Sequence, residues 1–272
     1  MKLPNNQPEQ AIRLFSDYLT WTGVAHIGPE IDGEPELLGK RLGLLNGSSW
    51  ITLWANYFGR IYLPGVHLIN AGNEAVQINF MQAHQDRQEV PPAANIRAFV
   101  RYAKDLVELA QVDAILITCS TMNRAYLQVR KALEPAGVPV FQIDRPMMER
   151  AVNHGGTVLV VATHGPTVKS THALLYETAE ELGIPIAFRG LDVTEAWHRL
   201  AAGDVSGHND RLAQAIRKSL QHETIDCVVL AQLSMTVFLL SYPDPVAEFG
   251  VPVFTSGQCG FEYLREYWHR QL

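Results

Sequence analysis

The reactive side chains of this sequence are few, and three of them are cysteines: Cys119, Cys227 and Cys259. Cys119 stands in Ile115-Leu-Ile-Thr-Cys-Ser-Thr121, where a fully apolar run meets hydroxyl residues and a helix-forming segment. A thiol at a strand end, just ahead of a helix, faces unpaired backbone N–H groups and the positive end of the helix dipole. Both lower a thiol pKa and favour a thiolate, the form that attacks carbon or takes a proton. Free cysteines also serve as small buried apolar side chains, and position alone leaves Cys119 with both readings. Cys227 lies inside an apolar run and reads as core. Cys259, in Thr255-Ser-Gly-Gln-Cys-Gly-Phe261, follows the last strand and approaches the same strand ends. The spacings contain no CxxC and the ten histidines no HExxH, so neither a structural zinc nor a catalytic metal is expected.

Two loops offer complementary chemistry. Asn46-Gly47-Ser48-Ser49 and Thr163-His164-Gly165-Pro166-Thr167 each place glycine and small hydroxyl residues at the start of a helix. Such a loop makes a nest for a carboxylate or phosphate, and it also makes an ordinary turn and cap. That both halves of the chain carry one at the same point favours the nest. His164 is the histidine at such a strand end, in the position of a base or of a cap. Arg124, Arg145 and Arg189 fall near the same ends and read as surface charges. No GxGxxG or GxxxxGK[ST] supports nucleotide binding.

The elements that must position these residues come in two copies. Gly-Val-Pro-Val-Phe occurs at Gly137 and again at Gly250, an offset of 113 residues. At that offset Asp113–Met122 falls on Asp226–Met235, so Cys119 corresponds to Gln232. The stripe Ile96, Phe99, Val100, Ala103, Leu106, Val107 lands on Asn209, Leu212, Ala213, Ile216, Ser219, Leu220. A gapless register with matching periodicities from Ile96 to Phe141 marks a duplication. It also favours a chemical role for Cys119, because its equivalent is polar where a buried strand end is ordinarily apolar.

Each copy alternates short apolar strands with amphipathic helices. In the first, strands are expected at Arg41–Asn46, His67–Ala71, Ala114–Thr118 and Val138–Ile143, with helices over about 95–111 and 120–133. In the second, strands are expected at Thr157–Ala162, Pro185–Arg189, Cys227–Ala231 and Val251–Thr255. The fold class is α/β: two pseudo-symmetric, doubly wound parallel-sheet lobes, with the active site in the cleft between them. The divisions drawn are an N-terminal arm over 1–40, a first lobe over 41–145 with 256–272 packing back on it, and a second lobe over 146–255. The arm packs on the lobes or on a neighbouring subunit, so a homo-oligomer is compatible with the pattern.

At 272 residues the chain is near twice the common domain length. Hydrophobic residues make up 47% and charged ones 18%, which excludes disorder and coiled coil. A net charge of −6 argues against nucleic-acid binding. The first residues lack the apolar core of a secretory signal, and the longest apolar run, Cys227–Leu240, is too short to span a membrane. A cytoplasmic protein is the expectation.

The segments Ile115–Tyr126, Val158–Tyr176, Ile225–Met235 and Gly250–Gly257 resemble the aspartate/glutamate/hydantoin racemase superfamily, over roughly residues 40–260. The resemblance implies a two-lobed enzyme without cofactor that works at a carbon next to a carboxylate or carbonyl. The implied substrate is a small carboxylate or hydantoin-like molecule. In such racemases one cysteine from each lobe faces the substrate, one thiolate removing the α-proton while the other thiol donates one. Cys119 matches the first-lobe cysteine. Ser120, Thr121, Thr163 and Thr167 match substrate-holding positions, and Asn46, Gly47, Ser48 and Ser234 join them as candidate contacts. The second cysteine is replaced by Gln232, which cannot exchange a proton at neutral pH but can donate a hydrogen bond to an oxyanion. His164 is then the candidate for a second base. Alternatives are a single-cysteine decarboxylase, a covalent cysteine isomerase or hydrolase, and a non-catalytic small-molecule binder.

Overall fold

The structure, a computed structural model, describes residues 33–163 and 165–271. The first copy folds as β1 (Arg41–Asn46), α1 (Ser49–Tyr62), β2 (His67–Gly72), α2 (Glu74–Gln85), α3 (Ala93–Ala110), β3 (Ala114–Ile117), a 3-10 turn (Ser120–Ala125), α4 (Tyr126–Leu133) and β4 (Val140–Gln142). The second continues through α5 (Arg145–His154), β5 (Thr157–Ala162), α6 (Gly165–Leu182), β6 (Ala187–Asp192), α7 (Thr194–Ala201) and α8 (Val205–His222). It ends with β7 (Cys227–Leu230), a 3-10 turn (Leu233–Val237), α9 (Phe238–Ser241), α10 (Pro245–Phe249), β8 (Val253–Thr255) and α11 (Ser256–His269).

The strands form two four-stranded sheets, ordered β2-β1-β3-β4 and β6-β5-β7-β8, with every pairing parallel. The central strands β1, β3, β5 and β7 are buried almost throughout, which is why they read as unbroken apolar runs. The edge strand β6 has no buried residue and lies two to three residues later than the sequence suggests, because no buried apolar run marks its ends. The 113-residue offset holds for the β3–β4 and β7–β8 pairs, Ile115↔Val140 matching Val228↔Val253. Upstream the equivalent residues drift apart: Leu42 matches Val158, and Leu68 matches Phe188.

Each sheet is covered on both faces. Leu42, Leu44 and Leu116 point into one core with Trp54 and Phe58 of α1, while Leu45, Ile115 and Ile117 point into another with Phe99 and Leu106 of α3. The second sheet divides its residues in the same way between a core with Leu175 and Met147 and a core with Leu212 and Ile216. The core around Trp54 also takes in Phe261, Leu264 and Trp268, so α11, the last helix of the chain, covers a face of the first sheet. Leu233 and Val237 from the second copy enter the same core, and Trp50 meets Trp197 edge-on at 4.9 Å. No helix among the described residues is long and apolar enough to cross a membrane.

One expected helix is two elements. After β3 the chain makes a 3-10 turn before α4 begins, where a continuous helix over 120–133 is expected. The carbonyl of Asn123 would accept the Leu127 N–H in an α-helix. It is taken instead by the Tyr126 N–H and by the Gln142 side-chain amide at 2.8 Å. The second copy repeats the device with its own 3-10 turn before α9.

Phe261→Ala removes a fully buried ring from the core shared by α11 and the first sheet. Urea unfolding of the whole chain is expected to lose about 3–5 kcal/mol. A loss under about 1 kcal/mol would show that α11 contributes little to that core.

Candidate functional site

Cys119 caps the 3-10 turn at the carboxyl end of β3 with only 4% of its surface exposed. Its Sγ lies 3.1 Å from Oγ1 of Thr121. The loop after β1 closes over the sulfur, and Gly47 is the residue that permits it. A Cβ there would stand 2.8 Å from Sγ and 3.9 Å from Oε1 of Gln77. The expectation of a thiol acidified by a helix start does not hold. Burial pushes the Cys119 pKa up, the contacts with Thr121 pull against it, and the nearby Asp144 carboxyl adds to the rise. The physical reason is that six residues of 3-10 turn lack a full helix dipole, whereas loss of hydration acts on the whole thiolate.

Asp144 was not singled out by sequence. Strand β3 pairs with β4 in the register Ile117↔Gln142, and the Ile143 N–H continues the ladder to the Ile117 carbonyl at 3.0 Å. Two residues beyond that pair stand Cys119 and Asp144, near enough for the carboxyl to act on the thiol. Asp144 is 2% exposed, and burial pushes its carboxyl pKa up to about 6, against the pull of Asn123, Ser120 and Ser256. Asn123 donates to its Oδ2 at 2.7 Å. The two serine hydroxyls lie near enough to lower the pKa but outside hydrogen-bond geometry of Oδ1, which stays unpartnered, as do Ser256 Oγ and Asn123 Oδ1. The signal that could have found Asp144 is the strand register together with the 113-residue offset, which maps it onto Gly257.

In the second lobe Gln232 occupies the matching place, ahead of the 3-10 turn after β7. Its Oε1 accepts from the Thr163 N–H at 2.7 Å and from Thr163 Oγ1 at 2.9 Å. Two donors on one oxygen fix the orientation of the amide and direct its NH2 away from Thr163. Thr163 therefore spends both donors on holding Gln232. Ser120 Oγ donates to the Ala231 carbonyl at 3.2 Å, tying the residue after Cys119 to the residue before Gln232. That contact brings the two strand ends together. Ser234 is buried in the 3-10 turn and Thr167 in the first turn of α6, and His164 lies outside the described residues.

The two loops expected to hold an anion already face carboxylates of the chain itself. Glu74 accepts from the Ser49 N–H at 2.8 Å and from the Ser49 hydroxyl, and these bonds lower its pKa. Ser48 is the N-cap residue of α1 without a side-chain capping bond. In the second lobe an Asp192 oxygen would stand 3.1 Å from a Cβ on Gly165. Asn46 is fully buried and works inward, accepting from Thr118 Oγ1 and donating to Asn70 Oδ1 at 2.7 Å; Asn70 in turn donates to Asn56 at 3.1 Å. Cys227 and Cys259 are both buried in the core behind the second sheet, where burial pushes their pKa values up to about 12 and about 11. Arg124, Arg145 and Arg189 pair with Glu177, with Glu149 and Glu181, and with Glu223 respectively.

The Asp/Glu/hydantoin racemase family model matches residues 71–264, from the end of β2 into α11, which include both 3-10 turns. The chain belongs to the Asp/Glu/hydantoin racemase family. It is accordingly an enzyme of the racemase superfamily. Its fold is similar to that of an aspartate racemase homologue from Pyrococcus horikoshii, at a TM-score of 0.60 and 20% identity over 85% of this chain and 99% of that one. It is also similar to allantoin racemase from Klebsiella pneumoniae (TM-score 0.58, 15% identity, 86% and 89% covered). Glutamate racemase from Bacillus anthracis gives a TM-score of 0.57 at 18% identity, with 86% and 83% covered. No curated protein matches the chain. Among the described residues no group of three or more His, Cys, Asp or Glu side chains is arranged to hold a metal ion.

Gly47→Ala is expected to displace the thiol: alkylation of Cys119 by iodoacetamide should change several-fold, and urea unfolding should show a loss of about 1–3 kcal/mol. An unchanged alkylation rate would mean the loop does not cover the sulfur. Asp144 gives a pH signature of its own. Its folded pKa is above the unfolded value, so the stability it contributes is complete below pH 3.8 and is lost as pH rises through about 6. The loss amounts to at most about 3 kcal/mol, and the Asp144→Asn chain should lack that slope in urea titrations between those values.

Proposed function

We propose that this racemase-family enzyme uses Cys119 to move a proton at a carbon next to a carboxylate or carbonyl of a small molecule, with the Gln232 amide stabilising the oxyanion. The observation that carries the reading is the orientation of Gln232. With Oε1 held twice by Thr163, the amide meets a ligand as a donor and not as an acceptor. In the forward step the Cys119 thiolate takes the α-hydrogen: the C–H bond breaks, an S–H bond forms, and the electron pair moves onto the carbonyl oxygen. An N–H of Gln232 then bonds to that developing oxyanion. Return of the proton from Sγ regenerates the carbon acid. Thr121, 3.1 Å from Sγ, orients the thiol. No step calls on a cofactor.

A second reading keeps the same residues and makes the chemistry one-sided. Glutamine offers no proton to the opposite face, so Cys119 acting alone suits protonation after decarboxylation, or covalent attack, better than symmetric racemisation. A racemase would need a second base, for which His164 is the candidate. The small-molecule class comes from the neighbours: their names speak of aspartate, glutamate and allantoin racemases.

Incubation in D2O with amino acids and hydantoins separates these readings. Deuterium entering with loss of optical activity supports racemisation. Deuterium entering with retained configuration supports one-sided chemistry. Cys119→Ser should abolish exchange, and Gln232→Ala should lower kcat by roughly 10²-fold with KM little changed. Full activity in the Cys119→Ser chain would remove this cysteine from the mechanism.

A further inference from the structure

The two lobes differ at a second position besides the cysteine. Counted two residues past the last paired positions, Cys119 falls level with Asp144 and, from Leu230↔Thr255, Gln232 falls level with Gly257. The lobe with the thiol has a carboxyl beside it, and the lobe with the amide has no side chain there. A Cβ on Gly257 would meet Thr236 Oγ1 at 2.6 Å, so the fold fills that space in another way.

Asp144 is also unusual for where it stands. It is the N-cap residue of α5, where an aspartate ordinarily accepts from its own helix, yet its side chain makes no capping bond. The carboxyl turns inward to Asn123, and three buried oxygen atoms, Asp144 Oδ1, Asn123 Oδ1 and Ser256 Oγ, are left without partners. Two of these, Asn123 Oδ1 and the ionised Asp144 Oδ1, are acceptors only and have no donor within hydrogen-bond geometry. A proton on Oδ1 turns it from an acceptor into a donor.

We propose that Asp144 is the positioning residue for the Cys119 thiol: the two hold at most one negative charge between them, so the S–H bond breaks, its proton leaving to substrate or solvent, while an O–H bond exists on Asp144, and the buried pair goes from neutral to singly charged instead of from singly to doubly charged. Cys119 ionises readily only while Asp144 holds a proton, and a charged Asp144 keeps the sulfur as a thiol. The pair can thus act as acid or base at one strand end with no second thiol opposite. Asp144 acts through Cys119 and is assigned no contact with substrate. The direction of both pKa shifts agrees, since each group is raised by burial and Asp144 raises Cys119 further.

Among the described residues, the side chains that act on the Asp144 carboxyl are Ser120 and Asn123 of the 3-10 turn and Ser256 of α11, none of which titrates, and Cys119 stands at the start of the same turn. On α5 itself Arg145 is engaged with Glu149 and with Glu181 of α6.

The inference rests on Cys119 as the reactive group, and its test is independent of turnover. Thiolate absorbance near 240 nm is followed against pH, and the signal of Cys119 is isolated by subtracting the Cys119→Ser chain. In Asp144→Asn, whose amide copies the shape of the protonated carboxyl, the Cys119 midpoint is expected to fall by about one pH unit. Asp144→Ser, which removes the charge in a smaller side chain, should move it the same way and serves if the asparagine chain does not fold. A folded variant with an unmoved midpoint overturns the proposal. An inactive wild-type protein whose midpoint still falls in Asp144→Asn keeps the pair and removes the proton-transfer function, whereas active protein with an unmoved midpoint removes the pair alone.

Discussion

A parallel strand covered by helices on both faces can bury apolar side chains along its whole length and can present polar ones only at its ends. Both sheets are under that constraint, and the rest of the molecule follows from it. Strands β1, β3, β5 and β7 supply the core, and the residues that could do chemistry begin where each strand stops: Asn46 and Gly47, Cys119, Thr163, Gln232. Because all strands in a sheet run the same way, these ends collect on one edge of each lobe. The bond from Ser120 to the Ala231 carbonyl then joins the two edges. A tight 3-10 turn after β3 and β7 serves the same constraint, since it brings the chain back over the sheet while keeping the residue after the strand at the joint.

The electrostatics of that joint are set by burial more than by helix dipoles. A thiol with almost no exposure loses the hydration that would support its charge, and a short 3-10 turn supplies too little field to replace it. The chain's own carboxylates occupy the places where fields are favourable. Glu74 takes the start of α1 through Ser49, so any anion entering from solvent must compete with a group already tethered there. The carboxyl groups near these strand ends are therefore the chain's own, Glu74 and Asp144.

Much of this was legible in the sequence because duplication and periodicity record backbone geometry directly. Unbroken apolar runs gave the central strands to within a residue or two, and the shared Gly-Val-Pro-Val-Phe segment gave the register that equates Cys119 with Gln232. The roles of the loops were not legible. Whether a Ser-Ser pair binds a ligand or a neighbouring glutamate depends on where Glu74 sits, 25 residues away in sequence. The acidity of Cys119 was likewise out of reach, since it turns on how completely Gly47 and its neighbours cover the sulfur. Asp144 needed the strand register, which only the folded sheet supplies.

The differences between the two copies make sense only when taken three at a time. In the first lobe the strand-end residue is a thiol, the loop above it is a glycine that leaves room for sulfur, and the neighbouring strand ends in a carboxyl. In the second lobe the same three places hold Gln232, Thr163 and Gly257. In the proposed reaction the thiol changes charge, and for that it needs space and a neighbouring carboxyl that is uncharged at the time. A carboxamide never changes charge, so it needs neither; it needs its carbonyl oxygen occupied, so that its hydrogens face one way, and Thr163 does that with two bonds. Each set is consistent within itself and would be wrong in the other lobe. An amide beneath Gly47 would lose the donors that orient it, and a thiol beside Gly257 would have no carboxyl to exchange charge with. Under the proposed function the asymmetry is a division of labour, with one lobe moving a proton and the other holding the charge that the move creates.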